Sequence, residues 1–324
     1  MRSIAAIMTA ASLFWTVPAA HAQAQAPSYP TKPIKIIVAY AAGQGTDVAT
    51  RFLGEQLGRE LGQPIVVENK AGAGGNLGTE LTAQAPADGY TLTMGTNATH
   101  VLNQFLYAKL AFDPEKDFEP IAMVGTFPMV LAVGASAQPH TVAELLESVK
   151  RSPRSADIAM PSTSARLVVE FLKERSSAPL FGVPYKGSGN AVTDVLGGQL
   201  PVVIDTPLAL RPHIAAGKLR AIGVTSATAS NLAPGVKPIA EQGYPGFEFV
   251  AWNALYAPKG TPVAVTNAIN AAVNKVLARG EVRQRLLELG FEPAGGTAAS
   301  LVDFARKERQ RWAPIIKAAG IRAD

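Results

Sequence analysis

The 324-residue chain contains no cysteine. That excludes disulfide staples, thiolate zinc sites, iron–sulfur clusters and cysteine nucleophiles, so a hydrophobic core must supply the stability. Histidine is scarce too. His21, His100, His140 and His213 lie far apart, and no pair has the spacing of a helical metal motif. No metal or cofactor is expected. Charged residues make up only 17% of the chain and are scattered, without a Lys/Arg run or interleaved aromatics, which argues against nucleic acid as a partner. No apolar run reaches the length of a membrane span. Enzyme signatures are missing as well. Gly72-Ala73-Gly74-Gly75-Asn76-Leu77 lacks the third glycine of a dinucleotide fingerprint, and no acidic residue ends a second strand where that fold needs one. Lys186-Gly187-Ser188-Gly189 does not flank its serine as a nucleophile elbow does. Neither a Walker A sequence nor a zincin helix occurs, so no catalytic residue is assigned.

What is present begins with an N-terminal segment of export character. Arg2 gives a positive start, Ile4 to Val17 an apolar core, and Ala20-His21-Ala22 a small-x-small cleavage site. Residues 1–22 are expected to be a secretory signal peptide, leaving a mature, exported chain from Gln23. The net charge of +5 then becomes +4 as Arg2 leaves, a mild excess that suits an anionic ligand. With 48% hydrophobic residues, the remaining chain is globular and long enough for two domains.

Its most informative stretch runs from Lys35 to Asp47. A buried strand enters a glycine-bearing turn, Ala41-Ala42-Gly43-Gln44-Gly45, and opens into a helix that Thr46 or Asp47 can cap. Strand, flexible turn and helix start together present unpaired N–H groups to an anion. A second such element follows, Ile65–Asn69 and then Gly72 to Gly78. An ordinary connection needing positive φ explains either turn alone; their repetition points to a pocket for a carboxylate. Thr96-Asn97 follows the third strand, and Ser162-Thr163-Ser164 precedes a later helix. Each reads equally as a helix cap or as a ligand contact. Lys186 is either a solvated charge or a contact. Asp205, just past a strand, either caps the next helix or orients water or a ligand donor.

Along the chain, short β-branched runs alternate with amphipathic helical stretches. Strands are predicted at 34–39, 65–68, 91–94, 121–124, 130–133, 157–159, 182–183, 202–204, 219–224 and 247–256. Helices are predicted at 48–61, 76–85, 142–149, 167–175, 191–196 and 208–216, then at 263–277, 281–289 and 298–319 with almost no strand between. The alternation predicts an α/β fold of parallel sheets covered by helices. Extended segments at 121–130 and 247–253 are the candidate crossings between two domains. The first domain is then discontinuous, 23–125 with 251–324, around a second at 126–250.

The mature chain resembles the Bug-type receptors, the extracytoplasmic binding proteins of tripartite tricarboxylate transporters. The motifs are Tyr29-Pro30-Thr31-Lys32-Pro33-Ile34, the Gly43–Asp47 turn, Glu68-Asn69-Lys70-Ala71-Gly72-Ala73-Gly74-Gly75 and Ala87-Asp88-Gly89-Tyr90-Thr91-Leu92. Asp117-Phe118-Glu119-Pro120, Val183 to Gly189, Asp194-Val195-Leu196-Gly197-Gly198, Trp252 and Ala257-Pro258-Lys259-Gly260-Thr261-Pro262 follow in order. The resemblance implies a two-lobed periplasmic binding protein of type II-like architecture, with a cleft that holds a small organic acid through backbone N–H groups, hydroxyls and water. It implies contacts from Tyr40, Gly43, Gly45, Thr46 and Asp47, from Ala73, Gly74, Gly75 and Asn76, and from Thr96, Ser162, Thr163 and Asp205. It further implies a monomer that delivers its ligand to the membrane components of such a transporter, or to a sensor kinase. An exported hydrolase or isomerase on the same fold is the alternative from another class. Three positions depart from the family pattern: Ala42 replaces a proline, Gln44 the middle glycine of a triplet, and Arg166 a common histidine. Gln44 brings an amide that can donate or accept, and Tyr40 an aromatic wall.

Overall fold

In the computed structural model, which describes residues 29–152 and 157–323, the alternating runs build two sheets. The segment expected to be a signal peptide lies outside the described residues. The first sheet has six strands in the order β11-β4-β10-β3-β1-β2. They are β1 (Ile34–Val38), β2 (Ile65–Asn69), β3 (Thr91–Thr96), β4 (Phe118–Pro128), β10 (Val250–Pro258) and β11 (Glu292–Pro293). The second has five in the order β7-β6-β8-β5-β9. These are β5 (Val130–Gly134), β6 (Asp157–Met160), β7 (Phe181–Pro184), β8 (Val202–Asp205) and β9 (Leu219–Val224).

Both sheets are mixed in the same way. β1 pairs in parallel with β2 and β3, and β6 with β7 and β8, as helical crossovers require. The crossing strands then enter antiparallel. β10 lies between β3 and β4, and β5 between β8 and β9. Both passages between lobes run side by side on one long ladder. β4 ends at Pro128 and Val130 opens β5 in the other sheet, while β10 begins at Val250 opposite Pro128. Both passages between the sheets are thus carried by two neighbouring strands.

Helices α1 (Gly45–Leu61), α2 (Asn76–Ala83) and α8 (Val263–Leu277) belong to the first lobe, with α9 (Gly280–Glu288) and α10 (Ala298–Ala318). In the second lobe lie α4 (Val142–Arg151), α5 (Thr163–Ser176), α6 (Ser188–Leu196) and α7 (Pro207–Ala215). One helical segment has no counterpart in the periodicity: a π-helical turn at Ala98–Leu102 running into α3 (Asn103–Leu106) directly after β3. Its apolar face is short, Val101, Leu102 and Leu106, and is interrupted by the buried polar residues Thr99, His100 and Asn103, which bond within the lobe, so the periodicity is too brief to mark a helix. The main core is continuous between the lobes. Phe171 of α5 stacks on Phe247 at 4.6 Å and meets Trp312 of α10 at 5.7 Å, ring to ring. No helix among the described residues is long and apolar enough to cross a membrane.

Candidate functional site

The first turns of five helices face the gap between the two lobes. The chain enters each from a strand or a glycine turn, so the helix starts gather on one side of each sheet. Gln44 is the N-cap of α1, Gly75 of α2, Ser162 of α5 and Thr206 of α7, and Ser188 is the first residue of α6. α1, α2 and α6 have no side-chain cap; in α2 the Asn76 and Leu77 N–H groups donate back to Ala73 O and Gly72 O, whereas the first-turn N–H groups of α1 and α6 depend on a ligand or water. Partial positive charge from several helix ends is thereby concentrated in one cleft.

The cleft has two connected parts. An outer cavity of about 530 Å³ is bounded on the first lobe by Tyr40, Gln44 and the loop Ala71–Gly75. On the second lobe it is bounded by Met160–Thr163, Arg166 and Pro184–Lys186. Arg166 and Lys186 are the only charged side chains lining it among the described residues, and no carboxylate does. Behind it lies an inner chamber of about 40 Å³, walled by hydroxyls and amides of Thr46, Thr96, Asn97, Ser164, Ser188 and Thr206. Tyr40, Gln44 and Ser162 border both spaces. The chamber is roomy enough for water and rich enough in partners to order it.

The lobes meet across this cleft. Asn97 Nδ2 donates to Ser164 Oγ at 3.2 Å, and a Cβ built on Gly187 would lie 3.4 Å from Gln44 Nε2. Gln44 Oε1 meanwhile accepts the Ala41 N–H at 3.1 Å, which leaves its amide nitrogen toward the second lobe. The Tyr40 hydroxyl is 2.8 Å from Thr96 Oγ1. Burial pushes Tyr40 up to about 12, so it remains a neutral hydrogen-bonding wall.

Most of the residues singled out in the sequence line these spaces. Tyr40, Gln44, Ala73, Gly74, Gly75, Ser162 and Thr163 border the outer cavity, and Gly45, Thr46, Thr96 and Asp205 the inner chamber. Three do not, and their geometry corrects the reading. Asp47 turns away from the cleft: its carboxylate accepts Gly43 N–H at 2.8 Å, Asn69 Nδ2 at 2.8 Å and Arg51 Nε at 3.0 Å. It fastens the turn to β2 instead of facing a ligand, and the Gly43 N–H is consumed by the same bond. Asn76 Oδ1 accepts Asn103 Nδ2 at 2.6 Å, tying α2 to α3. Sequence reasoning also missed lining residues. Tyr107, Phe127, Met129 and Ala323 reach the cleft from remote segments with no local pattern. Asn97, Ser164, Tyr185 and Ser188 stand inside the motifs already picked out, so their neighbours were the available signal.

Among the described residues, Asp205 is the one carboxylate on either lining. It is 2% exposed; Oδ1 accepts the Thr206 N–H at 2.7 Å, while Oδ2 is buried without a hydrogen-bond partner. Burial pushes it up to about 6, opposed by that amide and by neighbouring Ser188. Near neutrality it can therefore present either a carboxylate acceptor or an acid donor. The folded value lies above the ordinary 3.8, so between those two values the folded state keeps a proton that the unfolded chain has released. Stability should fall as pH rises through that window, by about 1.4 kcal/mol for each pH unit, and level off above it. Asp205→Asn should lose that slope in urea melts run between pH 4 and 7. An unchanged slope would place the titration elsewhere.

Two mixed α/β sheets joined by paired crossing strands, with a polar cleft between them, define the two-lobed fold of periplasmic binding proteins. The model of the tripartite tricarboxylate transporter family receptor, TctC, matches residues 49–321. The chain belongs to that family. It is 35% identical to protein BugT of Bordetella pertussis over 302 residues, 92% of this chain and 93% of BugT. Among solved structures it is similar to R. palustris Rpa4515 with adipate, with a TM-score of 0.87, 31% identity, and coverage of 91% of this chain and 99% of that one. It is likewise similar to MatC from Rhodopseudomonas palustris with bound malate, with a TM-score of 0.81, 31% identity, and coverage of 89% and 100%.

Proposed function

We propose that the chain is a periplasmic receptor that closes its lobes on a small organic carboxylate and delivers it to the membrane components of a tripartite tricarboxylate transporter. The observation that carries this reading is the cleft itself. Helix starts and two cations converge on a space whose outer part has no lining carboxylate. Closure follows from differential affinity, since a ligand touching both linings does so only when the lobes are together. In this reading the amides and hydroxyls of Gln44, Gly45, Thr46 and Gly74 meet the ligand or its waters from the first lobe, beside Tyr40, Ala73, Gly75 and Thr96. Ser162, Thr163 and Asp205 complete the shell from the second lobe. Gly43, Asp47 and Asn76 hold the loops.

Membership of a receptor family and the acids carried by the two solved relatives, both dicarboxylates, support this reading over the hydrolase or isomerase alternative. No cluster of metal ligands is found among the described residues. The rest of the proposal is an export signal at residues 1–22, a monomer, and domains at 23–125 with 251–324 and at 126–250, hinged where β4 and β10 cross. A thermal-shift screen pairing small acids with their amides tests the central claim. A ligand at about a hundredfold its Kd should stabilise by roughly 2.7 kcal/mol. Acids should raise the melting point and their amides should not; a response confined to the uncharged members would overturn the carboxylate reading.

A further inference from the structure

Arg166 lies in the first full turn of α5, close to the positive end of the helix dipole. Nothing in that position favours a cation, and a side chain pointing into solvent would be ordinary. Instead the guanidinium reaches across the cleft to the first lobe, where Nη2 donates to the backbone carbonyl of Arg322. That carbonyl belongs to the C-terminal tail, which is itself anchored. The Ala323 N–H donates to Leu106 O at 2.8 Å, the Ile321 N–H donates to Ile316 O at 3.1 Å, and the Ile321 side chain is buried. Ala323 lines the same outer cavity as Arg166. Among the described residues, the guanidinium's Nε and Nη1 make no hydrogen bond and no carboxylate lines the cavity to pair with them.

The two linings differ in kind. The first lobe offers loop amides and no charge, whereas the second offers Arg166 and Lys186. Tyr107, Met160 and Tyr185 supply aromatic and apolar surface to the same cavity. On the receptor reading above, on which this inference rests, one anionic group sits at the amide loops. We propose that Arg166, aimed by the C-terminal tail, reads a second anionic group, so that the ligand is a dianion with an apolar body. A guanidinium matches a carboxylate with two parallel donors. Tethering one arm to a fixed carbonyl settles the rotamer before the ligand arrives, which lowers the entropic cost of the contact.

Calorimetric titration of the full chain with linear diacids from succinate to suberate, their monoamides and the matching monocarboxylates tests this. The best diacid should bind roughly ten- to a hundredfold tighter than its monoamide and monocarboxylate, the range expected for hydrogen bonds to a charged group. Arg166→Gln should bring that ratio close to one, with the diacid losing far more affinity than the monocarboxylate, and Arg166→Lys should keep part of it. Removing residues 322–324 should lower the ratio less than Arg166→Gln does, because the fork survives without its anchor. A diacid preference that persists in Arg166→Gln, or that disappears only in Lys186→Gln, would overturn the assignment. Equal binding of diacid and monocarboxylate by the unaltered protein would defeat the second subsite alone. If no acid binds the unaltered protein, the receptor reading fails and this inference fails with it.

Discussion

Gly74→Val should all but abolish ligand binding while leaving a folded protein. Gly74 sits at φ +63°, and a Cβ built there would lie 2.5 Å from the Tyr107 hydroxyl and 3.0 Å from Thr163 Oγ1. The left-handed conformation alone costs an L-residue about 1–2 kcal/mol, and that part falls on the fold. The clash with Thr163 is different. Thr163 opens α5 on the second lobe and approaches Gly74 only when the lobes are together, so this cost falls on closure. A β-branched side chain fills the space that backbone and ligand would share. The expected loss of affinity is at least ~100-fold, or about 2.7 kcal/mol. Gly43→Val is the matched control. Gly43 also has a left-handed φ, +83°, but a Cβ there meets nothing within 4 Å, and the residue lies off both linings. It should lose stability and keep affinity. Equal affinity losses in the two variants would mean that backbone strain, and not the closing of the cleft at Gly74, sets binding.

Particular residues explain how far the sequence could be read. The strands were legible because β-branched runs end at glycine, proline or polar turns, whereas the antiparallel entry of β10 and β5 into sheets expected to be parallel is stated by no local pattern. Helix starts were read late in five cases, one of them, α9 at Gly280 in place of Glu281, by a single residue. α5 begins at Thr163 where periodicity first becomes visible at Leu167, and α1 begins at Gly45 instead of Val48. α6 and α7 begin at Ser188 and Pro207, ahead of Ala191 and Leu208. The turns missed wholly or in part at α1, α5, α6 and α7 are mostly glycine, serine, threonine and other small or polar types, with proline at α7, and they offer little apolar periodicity. They are also the turns that border the cleft. A weak helical signal beside a strand end is thus what an anion-facing helix start leaves in a sequence. Asp47 shows the opposite limit. A carboxylate at a helix start has the right position for a ligand contact, but Arg51 one turn on and Asn69 at the end of β2 claim its oxygens. The pairing with Asn69 depends on β1 lying beside β2, which no local pattern states. Tyr107, Phe127 and Ala323 are likewise placed by tertiary path alone. The two-residue β11 was invisible because its partner is β4, more than a hundred residues earlier.

Trp312→Ala should produce the largest loss of stability of any single change considered, about 3–5 kcal/mol. The indole is 1% exposed and lies on α10 of the first lobe. It meets Phe249 at 5.3 Å, just before the second crossing strand, and Phe171 of the second lobe at 5.7 Å, with the Phe171 ring stacked on Phe247 at 4.6 Å. Truncation would open a cavity walled by three rings that belong to both lobes and to the crossing segment, so no single element can move in to fill it. It would also strip Glu308 of the indole N–H that it accepts at 3.1 Å, leaving a carboxyl already pushed up by burial without that partner. At about 2–4 °C per kcal/mol for a chain approaching this size, the melting temperature should drop by roughly 10 °C. Trp312→Phe, which keeps an aromatic edge between the same rings, should recover a large part of that loss. Affinity should respond more weakly than stability, because the cluster sits beside the crossing strands and not on the cleft lining. Ligand titrations on both variants, read beside their melts, separate the two effects. A stability loss below about 1 kcal/mol in Trp312→Ala would show that the lobes are held together elsewhere.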